Sequence, residues 1–221
     1  MKKLFFILII IATSAYVFYA RYTQSPKMSS LVSTAQPQRM QIPTPGITTN
    51  ERILFVPYWT LSSDIQQNAY DTFIYFGITP GNSGINVSDQ GYVNIPTFIA
   101  KVSPAKTLLT IRMTDKAMNE KILDSPSFQK QIIYDSLFQA KRYGFKGLLL
   151  DFEAGGIGFD SLTNQVTGFI TDFAKEAKKQ KTFFSVAVYA DTFYRARPYD
   201  IKKIAAQADN MIVMAYDFHK A

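Results

Sequence analysis

The chain has 221 residues, 47% hydrophobic and 19% charged, enough to bury the core of one domain once a tail is set aside. The net charge is +7, but the lysines (Lys175, Lys178, Lys179, Lys181, Lys202, Lys203) are scattered along helix-like segments. No nucleic-acid motif accompanies them, so a nucleic-acid partner is disfavoured, while anionic lipid or an acidic wall polymer remains compatible. With no cysteine and a single histidine, His219, the chain excludes disulfides, thiolate metal sites and multi-histidine zinc sites.

Residues 1–21 begin with Met1-Lys2-Lys3 and continue into an uncharged apolar run, 4–20, closed by Arg21. A basic start followed by such a run predicts export, and about 17 apolar residues lie at the lower edge of what spans a bilayer. Cleavage after Ala15 would leave a secreted protein. The reading favours an uncleaved membrane anchor, with the rest of the chain outside the cytoplasm. Residues 22–50 turn to Ser, Thr, Gln and Pro, which predicts a flexible linker. The folded domain is expected over 51–221.

Within it, 52–59 (RILFVPYW), 71–78 (DTFIYFGI) and 106–112 (KTLLTIR) read as strands buried on both faces. A helix follows over 126–143, opened by Ser125 or Ser127 and stopped by Gly144. The strand 147–152 (GLLLDF), the helix 160–179 and the strand 182–189 come next. A short helix over 201–208 and a strand over 210–216 complete the pattern. Alternating apolar strands and helices predict a parallel sheet covered by helices. No glycine-rich phosphate loop follows the first strand, which disfavours an open nucleotide-binding sheet. Polar residues instead collect at strand ends (Tyr58 and Trp59, Asp151 and Glu153, Asp191, Tyr216 and Asp217), as at the mouth of a (β/α)₈ TIM barrel.

Asp151 and Glu153 are two apart on a strand, so both side chains face one side. Their mutual repulsion, with the flanking Leu150 and Phe152, should raise the pKa of one member and give an acid beside an ionised partner, as glycosidic cleavage requires. The bland alternative is a solvated pair at a strand end, or a partner for a helix lysine. Met214-Ala215-Tyr216-Asp217 places a phenol and a carboxylate at the same rim. The bland reading there is a capping tyrosine and a turn aspartate.

GLLLDFE and IVMAYDFH resemble the strand-four (D-x-x-D-x-D-x-E) and strand-six (M-x-Y-D) motifs of glycoside hydrolase family 18, the chitinase family. The resemblance implies a TIM barrel and substrate-assisted retaining hydrolysis of N-acetylglucosamine polysaccharide, chitin-like or peptidoglycan, with no cofactor or metal. It implies that Glu153 is the acid, that Asp151 holds the acetamido group, and that Tyr216 hydrogen-bonds its carbonyl. Asp217, Met214 and Tyr58 would contact sugar. Lys146 and Leu149 stand where the family has two further aspartates, so an altered pH dependence is expected. Thr110-Ile111-Arg112-Met113 replaces the family's S-x-G-G, leaving Arg112 either at the cleft for an acidic glycan or in a buried ion pair. Six of eight βα units are visible, so a truncated chain with exposed edge strands is expected. The competing function is a non-catalytic, lectin-like carbohydrate-binding envelope protein on the same barrel.

Overall fold

The computed structural model describes residues 51–154, 158–193 and 195–215. The apolar run 4–20 and the linker 22–50 lie outside them. Among the described residues no helix is long and apolar enough to cross a membrane.

The strands β1 (Ile53–Pro57) and β2 (Thr72–Ile78) are followed by a small antiparallel hairpin, β3 (Pro80–Gly81) and β4 (Gly84–Ile85). Then come β5 (Thr107–Met113), β6 (Gly147–Phe152), β7 (Phe183–Tyr189) and β8 (Asn210–Met214). Apart from the hairpin these form one six-stranded sheet in the order β1-β2-β5-β6-β7-β8, every neighbouring pair parallel. Sequential parallel order with helical crossovers is that of a partial barrel wall. The expected first strand is shorter than its apolar run, because Tyr58–Thr60 turns into a 3₁₀ segment directly after Pro57.

The helices are α1 (Gln90–Val93), α2 (Ile95–Lys101), α3 (Lys116–Leu123), α4 (Pro126–Tyr143), α5 (Asp160–Lys179) and α6 (Ile201–Ala205). Helix α4 begins where Ser125 accepts from the Phe128 amide, and it ends on Gly144 at φ 75, a left-handed position that favours glycine. Helices α1, α2 and α3 were not expected from the sequence. They are short, and α1 and α3 are fixed by the side-chain caps Asp89 and Asp115 rather than by a long apolar stripe.

Alternation along the strands gives the sheet two apolar faces. On the helix-covered face, Tyr75 stacks on Phe98, and Phe173 stacks on Phe184, within the main core. On the inner face Ile74, Leu108, Leu149 and Ala187 form a second, smaller cluster, joined by Ile53, Phe183, Ile212 and Met214. Each fully buried aromatic contributes roughly 1.5–3 kcal/mol, so the helix-covered face dominates stability. The inner face is left to carry the site.

Candidate active site

The inner-face residues at the carboxyl ends of β5, β6 and β7 come into register as Arg112, Asp151 and Ala187. Asp151 is 4% exposed and lines a cavity of about 340 Å³ with Phe55, Trp59, Phe76, Leu149 and Met214. Among the described residues its buried Oδ1 has no hydrogen-bond partner. Burial pushes the Asp151 carboxyl up to about 7, the nearby Glu153 carboxylate adds to the rise, and Arg112 opposes it. The member of the pair that keeps its proton toward neutral pH is therefore Asp151. The desolvation does not come from Leu150 and Phe152, as the sequence suggested. Those side chains point to the helix-covered core, and the apolar wall around Asp151 includes Leu149 directly below it.

Glu153 follows β6 on the same face, half-buried. Its backbone is clamped from several sides. Its amide donates to the Met113 carbonyl at 2.9 Å. Asn119 Nδ2 on α3 donates to the carbonyls of Met113 and Glu153 at 2.6 and 3.0 Å. The Tyr199 hydroxyl donates to the Phe152 carbonyl at 2.6 Å and accepts from the Ala154 amide at 2.9 Å. The Glu153 peptide is thus pinned on both sides. Burial pushes the Tyr199 phenol up to about 12 despite the Ala154 amide, so it stays protonated and able to donate. Tyr189, at the end of β7, stands beside Glu153, and burial followed by the neighbouring carboxylate holds its phenol well above the usual range.

Arg112 resolves as the ion pair rather than as a free cleft cation. Its guanidinium meets Asp89 Oδ1 at 2.8 Å and donates from Nε to the Gly77 carbonyl at 3.1 Å. The register shift between Phe76 and Ile78 occurs at this same glycine. The guanidinium also lies 5.0 Å from the Tyr58 ring centre. Tyr58 is drawn toward Arg112 and the main core, and it is Trp59, 60% exposed, that lines the cavity. Met214 lines it too. Asp191 is held in two contacts by Arg197, Nε to Oδ1 at 2.9 Å and Nη2 to Oδ2 at 2.6 Å. Tyr216 and Asp217 lie outside the described residues. Among the described residues no cluster of three or more His, Cys, Asp or Glu could hold a metal ion.

Sequence reasoning missed Tyr189, Tyr199 and Asn119. Tyr189 had a usable signal, since it is an inner-face position at a strand's carboxyl end. Tyr199 and Asn119 had none, because both act through backbone contacts made by distant segments.

The family model for glycosyl hydrolases family 18 matches residues 51–221. The chain belongs to glycosyl hydrolase family 18. A curated relative, the class V chitinase of Arabidopsis thaliana, is 25% identical over 187 residues, covering 76% of this chain and 49% of that protein. The fold is similar to the class V chitinase crystal structure from Nicotiana tobaccum (TM-score 0.65, 18% identity, 77% of this chain and 53% of that one). It is also similar to a family 18 chitinase from Cycas revoluta in complex with (GlcNAc)4 (TM-score 0.62, 22% identity, 76% and 56%). The chain spans about half the length of these family 18 relatives.

Proposed function

We propose that this chain is a glycosidase acting on β-1,4-linked N-acetylglucosamine polymer, chitin-like or peptidoglycan, by substrate-assisted retention within a (β/α)₈ barrel. The observation that carries the reading is the Asp151–Glu153 pair. Asp151 lines a cavity with an aromatic wall, buried on an apolar floor, and Glu153 follows two residues on along the same face, half-buried just past the end of β6. Family membership and the complex of the Cycas revoluta chitinase with (GlcNAc)4 support the substrate class.

In this reading Glu153 protonates the leaving oxygen while the sugar's own acetamido oxygen attacks the anomeric carbon. Asp151, ionised once its proton is shared toward Glu153, stabilises the oxazolinium cation. Water then attacks with Glu153 acting as base. Tyr216 orients the acetamido carbonyl, and Asp217 and Met214 contact sugar, with Trp59 in place of Tyr58 supplying an exposed face for stacking. The apolar run at 4–20 supports export and a membrane tether, which fractionation of expressing cells would check.

The test is product release from fluorogenic N-acetylglucosamine oligomers and from peptidoglycan, for the full chain and for Glu153→Gln. Loss of at least about a hundredfold in Glu153→Gln with binding retained is expected. Equal binding by both with no product from either rejects the enzyme in favour of a carbohydrate-binding protein.

A further inference from the structure

One feature of the site has no part in the mechanism above. Tyr189 is half-buried at the carboxyl end of β7 and lies opposite Met214 of β8. Asp151 pairs with Ala187, so two residues further along the same face Tyr189 stands beside Glu153. Burial and then the neighbouring Glu153 carboxylate push the Tyr189 phenol up. Behind the ring, the Arg197 guanidinium lies 4.7 Å from its centre, and Arg197 is itself fixed by the two contacts to Asp191. A cation on a phenol's face is attracted to the ring and holds its orientation. Asp191 holds Arg197 in place and neutralises it toward solvent.

We propose that Tyr189 is a positioning residue for Glu153, its phenol fixing the carboxylate's orientation and Arg197, locked by Asp191, fixing the phenol. This rests on the reading of Glu153 as the acid. The phenol selects one orientation of the carboxylate and donates most strongly to its ionised form. That ionised form is what the second step, activation of water, requires. The other titratable or charged groups around Glu153 are Asp151 on β6, Tyr199, Arg197 and, through Asp151, Arg112 on β5.

Two arms test the proposal on the full chain. In the first, ¹³Cζ-tyrosine labelling follows the Tyr189 resonance with pH in wild type and in Glu153→Gln. A step in wild type that disappears in Glu153→Gln is expected. A step that survives the substitution belongs to Asp151 or Tyr199, and that result, or no step at all, overturns the proposal. This arm needs no turnover, so it stands apart from the glycosidase reading, which fails on its own if wild type releases no product. In the second arm, Tyr189→Phe is expected to lower kcat about tenfold with oligomer binding unchanged, the scale of one lost charge-assisted hydrogen bond. Its activity should persist to higher pH than wild type. Arg197→Met should lower kcat in the wild-type background and have no further effect in Tyr189→Phe. Unchanged kcat and pH profile in Tyr189→Phe, or additive losses in the double variant, would refute the coupling.

Discussion

The proton on Asp151 makes a prediction about stability that does not depend on any substrate. In the folded chain this carboxyl is pushed from 3.8 to about 7, chiefly by burial. The unfolded chain therefore releases the proton first as pH rises. Folding is unpenalised below about pH 4 and loses stability through the interval up to about 7, where the slope approaches about 1.4 kcal/mol per pH unit. The full penalty above that interval is on the order of 4 kcal/mol, of which roughly 3 accrues between about pH 5 and pH 8. Asp151→Asn keeps the shape and removes the ionisation. It should be more stable than wild type at pH 8 by up to a few kcal/mol, and the advantage should shrink as pH falls to 5.

Urea unfolding of the full chain, followed by circular dichroism at half-unit steps of pH, measures the difference directly. Two parallel curves, with the variant offset by a constant amount, would refute the reasoning. They would mean that Asp151 ionises alike in both states and that the apolar floor does not desolvate it.

Three further substitutions probe the frame that holds the pair. Tyr199→Phe removes a hydroxyl that serves both Phe152 and Ala154, leaving two buried backbone groups unpaired; a loss of about 2–4 kcal/mol in urea unfolding is expected, together with a lower kcat. Gly147→Ala puts a Cβ 2.2 Å from the Phe183 carbonyl oxygen, a backbone atom of the adjacent strand that cannot rotate away. Strands β6 and β7 would have to part, so a loss of more than about 3 kcal/mol and little soluble protein are expected. Leu149→Asp introduces a buried carboxyl below Asp151, and its destabilisation should be smaller at pH 5, where the new acid can stay neutral, than at pH 8.

The central strands were legible because each is buried on two faces and so reads as an unbroken apolar run, as in GLLLDF. The edge strand RILFVP reads the same way although its Phe55 is exposed. Helices α4 and α5 were legible from length and from their punctuation, Ser125 and Gly144 for α4. What escaped were the elements whose cause is a single contact. Asp89 opens a four-residue helix, and the same carboxylate then holds Arg112, a pairing across 23 positions that no local pattern announces. In the site, the period of two correctly put Asp151 and Glu153 on one face. It also assigns Leu150 and Phe152 to the opposite face, and that consequence was overlooked when their apolar character was invoked to desolvate the pair. Tyr189 and Arg197 depend on where the segment after β7 returns, which sequence alone does not give.

The inner face also explains why the proton rests on Asp151. Thr110, Leu149 and Ser185 form one layer across β5, β6 and β7, and Arg112, Asp151 and Ala187 form the next layer toward the mouth. The lower layer is buried, and among the described residues Thr110 Oγ1 and Ser185 Oγ, on either side of Leu149, have no hydrogen-bond partner. A leucine between two hydroxyls can neither accept from them nor pass a hydrogen bond up to Asp151. The Asp151 carboxyl therefore stands on a floor that gives its charge nothing, and its unpartnered Oδ1 is the direct mark of that. Above it, Glu153 has Tyr189, with Tyr199 and Asn119 fixing the backbone. Polar support is concentrated at the mouth and withheld from the floor. Asp151 therefore holds its proton toward neutral pH, and a group that hydrogen-bonds its ionised form would loosen that hold. In the proposed reading a sugar acetamido N–H is a donor of that kind, which would couple occupancy of the cavity to ionisation of Asp151.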